Sequence, residues 1–136
     1  MSNPHLVFHH LGLAVKQPEP AKKFVATMGY QLGEIIFDPG QNVNSILCTH
    51  ATQPTVEILW PSGTKGPIGG LVSRHPTGII YHVCYQTQNL PAALAWLEAT
   101  GNQLVCISSP KIAPLFSNRQ VSFYNVIGMG LVEILS

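Results

Sequence analysis

His10-Leu-Gly-Leu-Ala-Val15 is followed, 72 residues on, by His82-Val-Cys-Tyr-Gln-Thr87, and each segment opens the same series of signals. Glu57 stands 47 residues after His10 in Val56-Glu-Ile-Leu59. Glu133 stands 51 residues after His82 in Val132-Glu-Ile-Leu135. Pro20-Ala21 and Pro91-Ala92 each start an apolar-periodic run. Those runs end at Gly29-Tyr30-Gln31-Leu32 and Gly101-Asn102-Gln103-Leu104. A repeat of this length is too long for a solenoid unit and implies two half-domains that close on each other.

Each half predicts β-α-β-β-β. In the first, a strand covers 8–15, with Phe8, His10, Gly12 and Ala14 on one face and His9, Leu11, Leu13 and Val15 on the other. A helix from Pro20 to Met28 follows, with Gly29 past its end. Strands are expected at 32–37, 43–48 and 55–60, separated by Asp38-Pro39-Gly40 and Thr52-Gln53-Pro54. The second half predicts a strand at 79–86, a helix at 91–100, and strands at 104–108, 121–126 and 130–135. The expected organisation is one domain over 1–136: a module at 5–62, a linker at 63–78 and a module at 79–136. The fold class is α+β, a cupped, incomplete β-barrel with a helix outside each half-sheet.

The chain of 136 residues carries a formal net charge of +1, and only 10% of its residues are charged. This argues against nucleic acid as a partner, because phosphate contacts need a basic footprint. No apolar run is long enough for a bilayer span, so no membrane partner is expected. Cys48, Cys84 and Cys106 are odd in number and far apart. They read as small buried hydrophobes of a reducing cytoplasm.

Period-two geometry places Glu57 opposite Val56, Ile58 and Trp60, and Glu133 opposite Val132 and Ile134. The apolar faces must lie under helices, so the carboxylates face the cup. A carboxylate centred in an apolar strand is costly unless it is paired or bound to metal. His10, Glu57, His82 and Glu133, matched by the repeat, therefore predict one divalent-metal site. His5, His9, His50 and His75 are expected to be structural or solvated.

The segments His10–Val15, Gln41-Asn-Val43, Val56–Pro61, Tyr81-His-Val83, Pro110-Lys111, Asn118–Phe123 and Leu131–Leu135 together resemble the vicinal oxygen chelate superfamily. That superfamily includes glyoxalase I, methylmalonyl-CoA epimerase, bleomycin-type resistance proteins and extradiol dioxygenases. The pattern is most similar to the epimerases and covers essentially the whole chain. The resemblance puts His10, Glu57, His82 and Glu133 on the four metal positions. The epimerase usually has Gln where Glu57 stands, and the His/Glu/His/Glu set is similar to bacterial glyoxalase I. The epimerase's general base, a third-strand Glu, falls on Ser45, which cannot act as a base near neutral pH.

The resemblance implies a metal-dependent isomerase, epimerase or lyase acting on a small oxo, hydroxy or thioester metabolite. The cofactor is a divalent ion (Ni, Co, Zn, Mn or Mg). Glu57 or Glu133 is the catalytic carboxylate, and Gln41, Ser45, Lys111 and Arg119 are candidates for substrate contact, with Lys65 and Arg74 beside them. A homodimer is the expected assembly. The alternative is a non-catalytic, drug-sequestering protein of the bleomycin-resistance type.

Overall fold

A computed structural model describes residue 3, residues 5–64 and residues 66–136. The first half runs β1 (Val7–Ala14), α1 (Pro18–Thr27), β2 (Gln31–Leu32), β3 (Ile36–Asp38), β4 (Val43–Thr49) and β5 (Val56–Pro61). After α2 (Gly69–Arg74) come β6 (Ile79–Gln86), α3 (Leu90–Ala99), β7 (Leu104–Ala113), a 3-10 turn (Pro114–Phe116), β8 (Arg119–Val126) and β9 (Gly130–Leu135). The strands form a nine-stranded open sheet in the order β2-β4-β5-β1-β6-β9-β8-β7, with β3 also on β4. An antiparallel β1–β6 pair joins the halves, and β1–β5 and β6–β9 are parallel. The 3-10 turn packs against β3 and β4, so the far ends of the sheet approach each other and the sheet is cupped.

The helices lie where the sequence requires them. Proline occupies the first turn of both α1 and α3, where a missing N–H costs nothing. Asn89 caps α3 by accepting from the Ala92 N–H at 3.0 Å. Gly29 and Gly101, at φ +92° and +95°, end α1 and α3 in the left-handed region that glycine favours. Under α1, Val25 packs on Val15, Ile46, Cys48 and Ile58. On the α3 side, Ala93 packs with Val83, Tyr124, Val132 and Ile134. The opposite sheet face holds two further clusters, one of Cys84, Ala113, Phe116, Val121 and Leu135, the other of Val43, Leu59 and Ile68.

Three elements depart from the expectation. The strand expected at 32–37 is two strands, because Gly33 turns its N–H to the Leu47 carbonyl at 2.9 Å. A Cβ at Gly33 would lie 2.9 Å from that oxygen, so the backbones approach closely there. The expected linker contains α2. The strand expected at 104–108 continues to Ala113 through two register shifts. As an edge strand it tolerates Pro110, which has no N–H to donate.

Two β-bulges shape the cup. In the β1–β6 ladder, Phe8 pairs with Tyr85 and His10 with Cys84, leaving His9 as an extra residue. At the other end Gly12 pairs with His82 and Leu13 with Ile80, leaving Tyr81 as an extra residue. Each bulge residue directly precedes a repeat histidine. A bulge breaks period-two alternation, so His9 does not turn away from His10. The two Nδ1 atoms lie 2.8 Å apart.

Candidate metal centre

His10, Glu57, His82 and Glu133 come one each from β1, β5, β6 and β9, four consecutive strands of the sheet. Register brings them together: Gly12 lies opposite both Glu57 and His82, and Cys84 lies opposite both His10 and Glu133. All four side chains are buried. One ligand atom from each lies within 4.8 Å of every other.

The separations bear directly on whether an ion fits. His10 Nε2 is 3.1 Å from Glu57 Oε1 and 3.1 Å from Glu133 Oε1. His82 Nε2 is 3.7 Å and 3.4 Å from the same two oxygens, and 3.3 Å from His10 Nε2. Ligand bonds of about 2.1 Å place tetrahedral ligands ~3.4 Å apart and adjacent octahedral ligands ~3.0 Å apart. Those values lie within the observed spread. Among the described residues, Glu133 Oε1 is buried and makes no well-aligned hydrogen bond, although the Nε2 atoms of His10 and His82 stand 3.1 and 3.4 Å away. A cation among the four ligand atoms would satisfy that oxygen.

The two carboxylates hold a proton on His10. Burial lowers the His10 pKa, but the close carboxylates of Glu133 and Glu57 outweigh it and raise it to about 9. Burial raises Glu133, but the close imidazoles of His10 and His82 hold its carboxyl well below the usual range. Burial, then the charges of Glu57 and Glu133, keep the Tyr81 hydroxyl protonated. Burial and the neighbouring Glu133 push the Cys84 thiol far up. Burial, followed by the charges of His10 and Arg119, lowers the His9 pKa.

Several participants lie outside the predicted set. Gly12 is one: a Cβ there would fall 2.1 Å from His82 Cε1 and 2.4 Å from its Nδ1. The imidazole occupies the space that the missing side chain leaves. A glycine inside a strand was the available signal. Phe116 stacks on His10 with ring centroids 5.2 Å apart. Phe123 and Tyr81 set their rings edge-on to His82 at 5.7 Å and 4.6 Å.

A cavity of about 630 Å³ is lined by Tyr81 and Phe123, whose rings lie edge-on to His82, while none of the four quartet residues lines it directly. Gln41 and Lys111 also line it, with Arg74 and Asp38. Asp38 accepts from the Gly40 and Gln41 N–H groups at 2.9 and 3.2 Å and from Gln41 Nε2 at 3.3 Å, which orients the Gln41 amide. Ser45 is buried on the cup side of β4, between Val43 and Leu47, and is not part of the cavity wall. Arg119 is not in that wall either. It is exposed, donates to Gln86 Oε1 at 3.4 Å and lines a separate hollow with His5 and Val7. Lys65 lies outside the described residues.

A profile of the glyoxalase/bleomycin resistance protein/dioxygenase superfamily matches residues 9–123. The chain belongs to that superfamily. The ethylmalonyl-CoA/methylmalonyl-CoA epimerase of Cereibacter sphaeroides is 30% identical over 105 residues, which cover 76% of this chain and 78% of the relative. The mitochondrial methylmalonyl-CoA epimerase of Mus musculus is 30% identical over 91 residues, 66% of this chain and 51% of that protein. This chain therefore spans about half of the mouse protein. The crystal structure of methylmalonyl-CoA epimerase from Mycobacterium tuberculosis superposes with a TM-score of 0.78 at 18% identity. That superposition covers 99% of this chain and 91% of the other, so the superfamily fold extends over both halves. Among the described residues, no helix is long and apolar enough to cross a membrane.

Proposed function

We propose that this protein is a metal-dependent epimerase or isomerase that moves a proton on the carbon next to a carbonyl, in a small substrate that offers oxygens to the ion. CoA-type thioesters are the favoured class, given the epimerase relatives. The observation that carries the reading is the convergence of two imidazoles and two carboxylates beside a cavity. A divalent ion held there by His10, Glu57, His82 and Glu133 supplies Lewis acidity toward a substrate oxygen.

The chain's own residues supply the rest. Among the described residues, Lys111 and Arg74 give the cavity two cations against the single carboxylate of Asp38, which suits a carboxylate or phosphate on the substrate. Tyr81 remains a hydrogen-bond donor at the cavity wall. Ile68, Leu71, Ile107 and Ile112 give the same wall an apolar lining. Ser45 brings no carboxylate, so on a substrate other than methylmalonyl-CoA the proton carrier is Glu57 or Glu133. The missing base at Ser45 also favours the second reading, a sequestering binder that keeps the cup without turnover.

Little racemisation of methylmalonyl-CoA is expected from the wild type with metal present, because the cup-side position of Ser45 holds no base. Ser45→Glu is expected to raise solvent-deuterium incorporation next to the thioester by about 10- to 100-fold, within the range of a positioned general base. Mass spectrometry on both proteins measures this. Robust exchange by the wild type would show that Glu57 or Glu133 already serves this substrate. Absence of exchange by either protein would count against thioester chemistry and favour the binder.

Metal uptake is expected to depend on pH in a direction set by His10. In the metal-free protein its raised pKa stabilises the fold below the ordinary 6.5, and that contribution fades as pH climbs through about 9. The lowered Glu133 acts oppositely: its contribution is present above the ordinary 4.5 and fades as pH falls. An incoming cation must displace the His10 proton. Affinity is therefore expected to rise about tenfold per pH unit from neutrality toward 9, with about one proton released per ion. Calorimetry in buffers of different ionisation enthalpy counts that proton. A pH-independent affinity would contradict the assignment of His10 as a ligand.

A further inference from the structure

We propose that His9 is a positioning residue for the metal: its Nδ1 accepts a hydrogen bond from His10 Nδ1–H, fixing the tautomer that leaves His10 Nε2 free as a ligand. This rests on reading His10, Glu57, His82 and Glu133 as a metal site.

The argument is a proton count on one ring. A neutral imidazole carries a single N–H. His10 Nε2 faces Glu57, Glu133 and His82 at 3.1, 3.1 and 3.3 Å. If Nε2 ligates an ion, the proton of His10 must reside on Nδ1. His9 Nδ1 stands 2.8 Å from that atom, a hydrogen-bond separation. His9 must then present a lone pair at Nδ1 and carry its own proton on Nε2. Outer partners of this kind orient a ligating histidine and raise its basicity.

The backbone and one aromatic ring hold His9 in place. The β-bulge at His9 turns it toward His10 instead of away from it. Phe116, from the 3-10 turn, contacts both rings. It stacks on His10 at an interplanar angle of 21° and meets His9 edge-on at 86°, with centroids 5.4 Å apart.

The other half of the repeat serves as an internal comparison. Its bulge residue is Tyr81, which packs edge-on against His82. Among the described residues, His82 Nδ1 is buried and has no hydrogen-bond partner. Among them, then, only one of the two repeat histidines has an outer partner, and it is the one preceded by a second histidine. A separate ion held by His9, His10 and Cys84, whose donor atoms also cluster, fits less well. A spacing of 2.8 Å is shorter than the ~3.4 Å of tetrahedral ligands.

The test compares His9→Leu, His9→Asn and His9→Gln with the wild type. Asn Oδ1 reaches the place of His Nδ1, whereas Gln Oε1 reaches toward the place of Nε2. Zn²⁺ and Co²⁺ affinities are measured by competition with a chromophoric chelator, with melting curves of the metal-free proteins alongside. His9→Leu and His9→Gln are expected to lose about 10- to 100-fold in affinity, while His9→Asn stays within about threefold of the wild type. Metal-free melting temperatures are expected to show no such ranking. Should His9→Leu fail to fold, the Asn and Gln variants carry the comparison. Unchanged affinity in His9→Leu, or equal affinities for Asn and Gln, would overturn the inference while leaving the quartet intact. A stoichiometry of two ions would overturn it in favour of the Cys84 cluster. No binding by the wild type would remove the metal reading itself, and this inference with it.

Discussion

Chelation of divalent ions is expected to lower the melting temperature by about 10 °C, and Ni²⁺, Co²⁺ or Zn²⁺ is expected to restore it. An ion present at a hundred times its dissociation constant adds about 2.7 kcal/mol to the folded state. For a chain of this size each kcal/mol is worth roughly 3–5 °C. The effect is not larger because the metal-free quartet is not simply two repelling carboxylates. The raised pKa of His10 keeps a proton beside the Glu57 and Glu133 carboxylates, which offsets part of their repulsion. Scanning calorimetry with and without chelator, on protein checked by elemental analysis, measures the shift. Coincident melts from protein shown to begin metal-free would sink the metal centre and favour a binder that needs none.

Gly12→Ala is expected to abolish tight metal binding, lowering affinity by about 100-fold or more. It is also expected to destabilise the protein by about 1–3 kcal/mol, the usual cost of forcing atoms into a filled space. The added methyl would overlap the His82 ring, whose nearest atoms would lie 2.1, 2.4 and 2.5 Å away. That ring cannot retreat freely, because Tyr81 and Phe123 flank it. Denaturant unfolding and metal titration of Gly12→Ala measure the two effects. A control separates the steric cause from any other. In a His82→Ala background the same Gly12→Ala change is expected to cost almost nothing, since the space is then vacant. Wild-type metal affinity in Gly12→Ala would show that His82 has another rotamer available and does not need the gap.

The two predictions differ in how far the sequence could reach them. The quartet was legible because it rests on two properties of the chain alone. An internal repeat puts His10 in register with His82 and Glu57 with Glu133. Period-two alternation then sends Glu57 and Glu133 away from the apolar faces that α1 and α3 cover. The same signals located β1, β4, β5, β6, β8 and β9 to within a residue or two. They were less informative where tertiary contact overrides local pattern. The strand expected at 32–37 is broken at Gly33, because the Leu47 carbonyl lies against it. α2 forms in a stretch whose Gly and Pro content reads as linker.

The arrangement around the quartet was decided only in three dimensions. Alternation assigns His9 to the face opposite His10, yet a bulge, invisible in the residue pattern, turns it onto His10. A second bulge gives Tyr81 to the cavity. Lys111 and Arg119 read alike as loop cations. The extended β7 carries Lys111 to the cavity wall, while Arg119 opens β8 beside a different hollow. Gly12 matters because of a ring that arrives from 70 residues downstream. Repeat and alternation are written along one strand at a time, so the sequence alone determined the fold and the four convergent side chains. Bulges, cavities and close approaches are properties of pairs of strands, and these only the folded sheet decided.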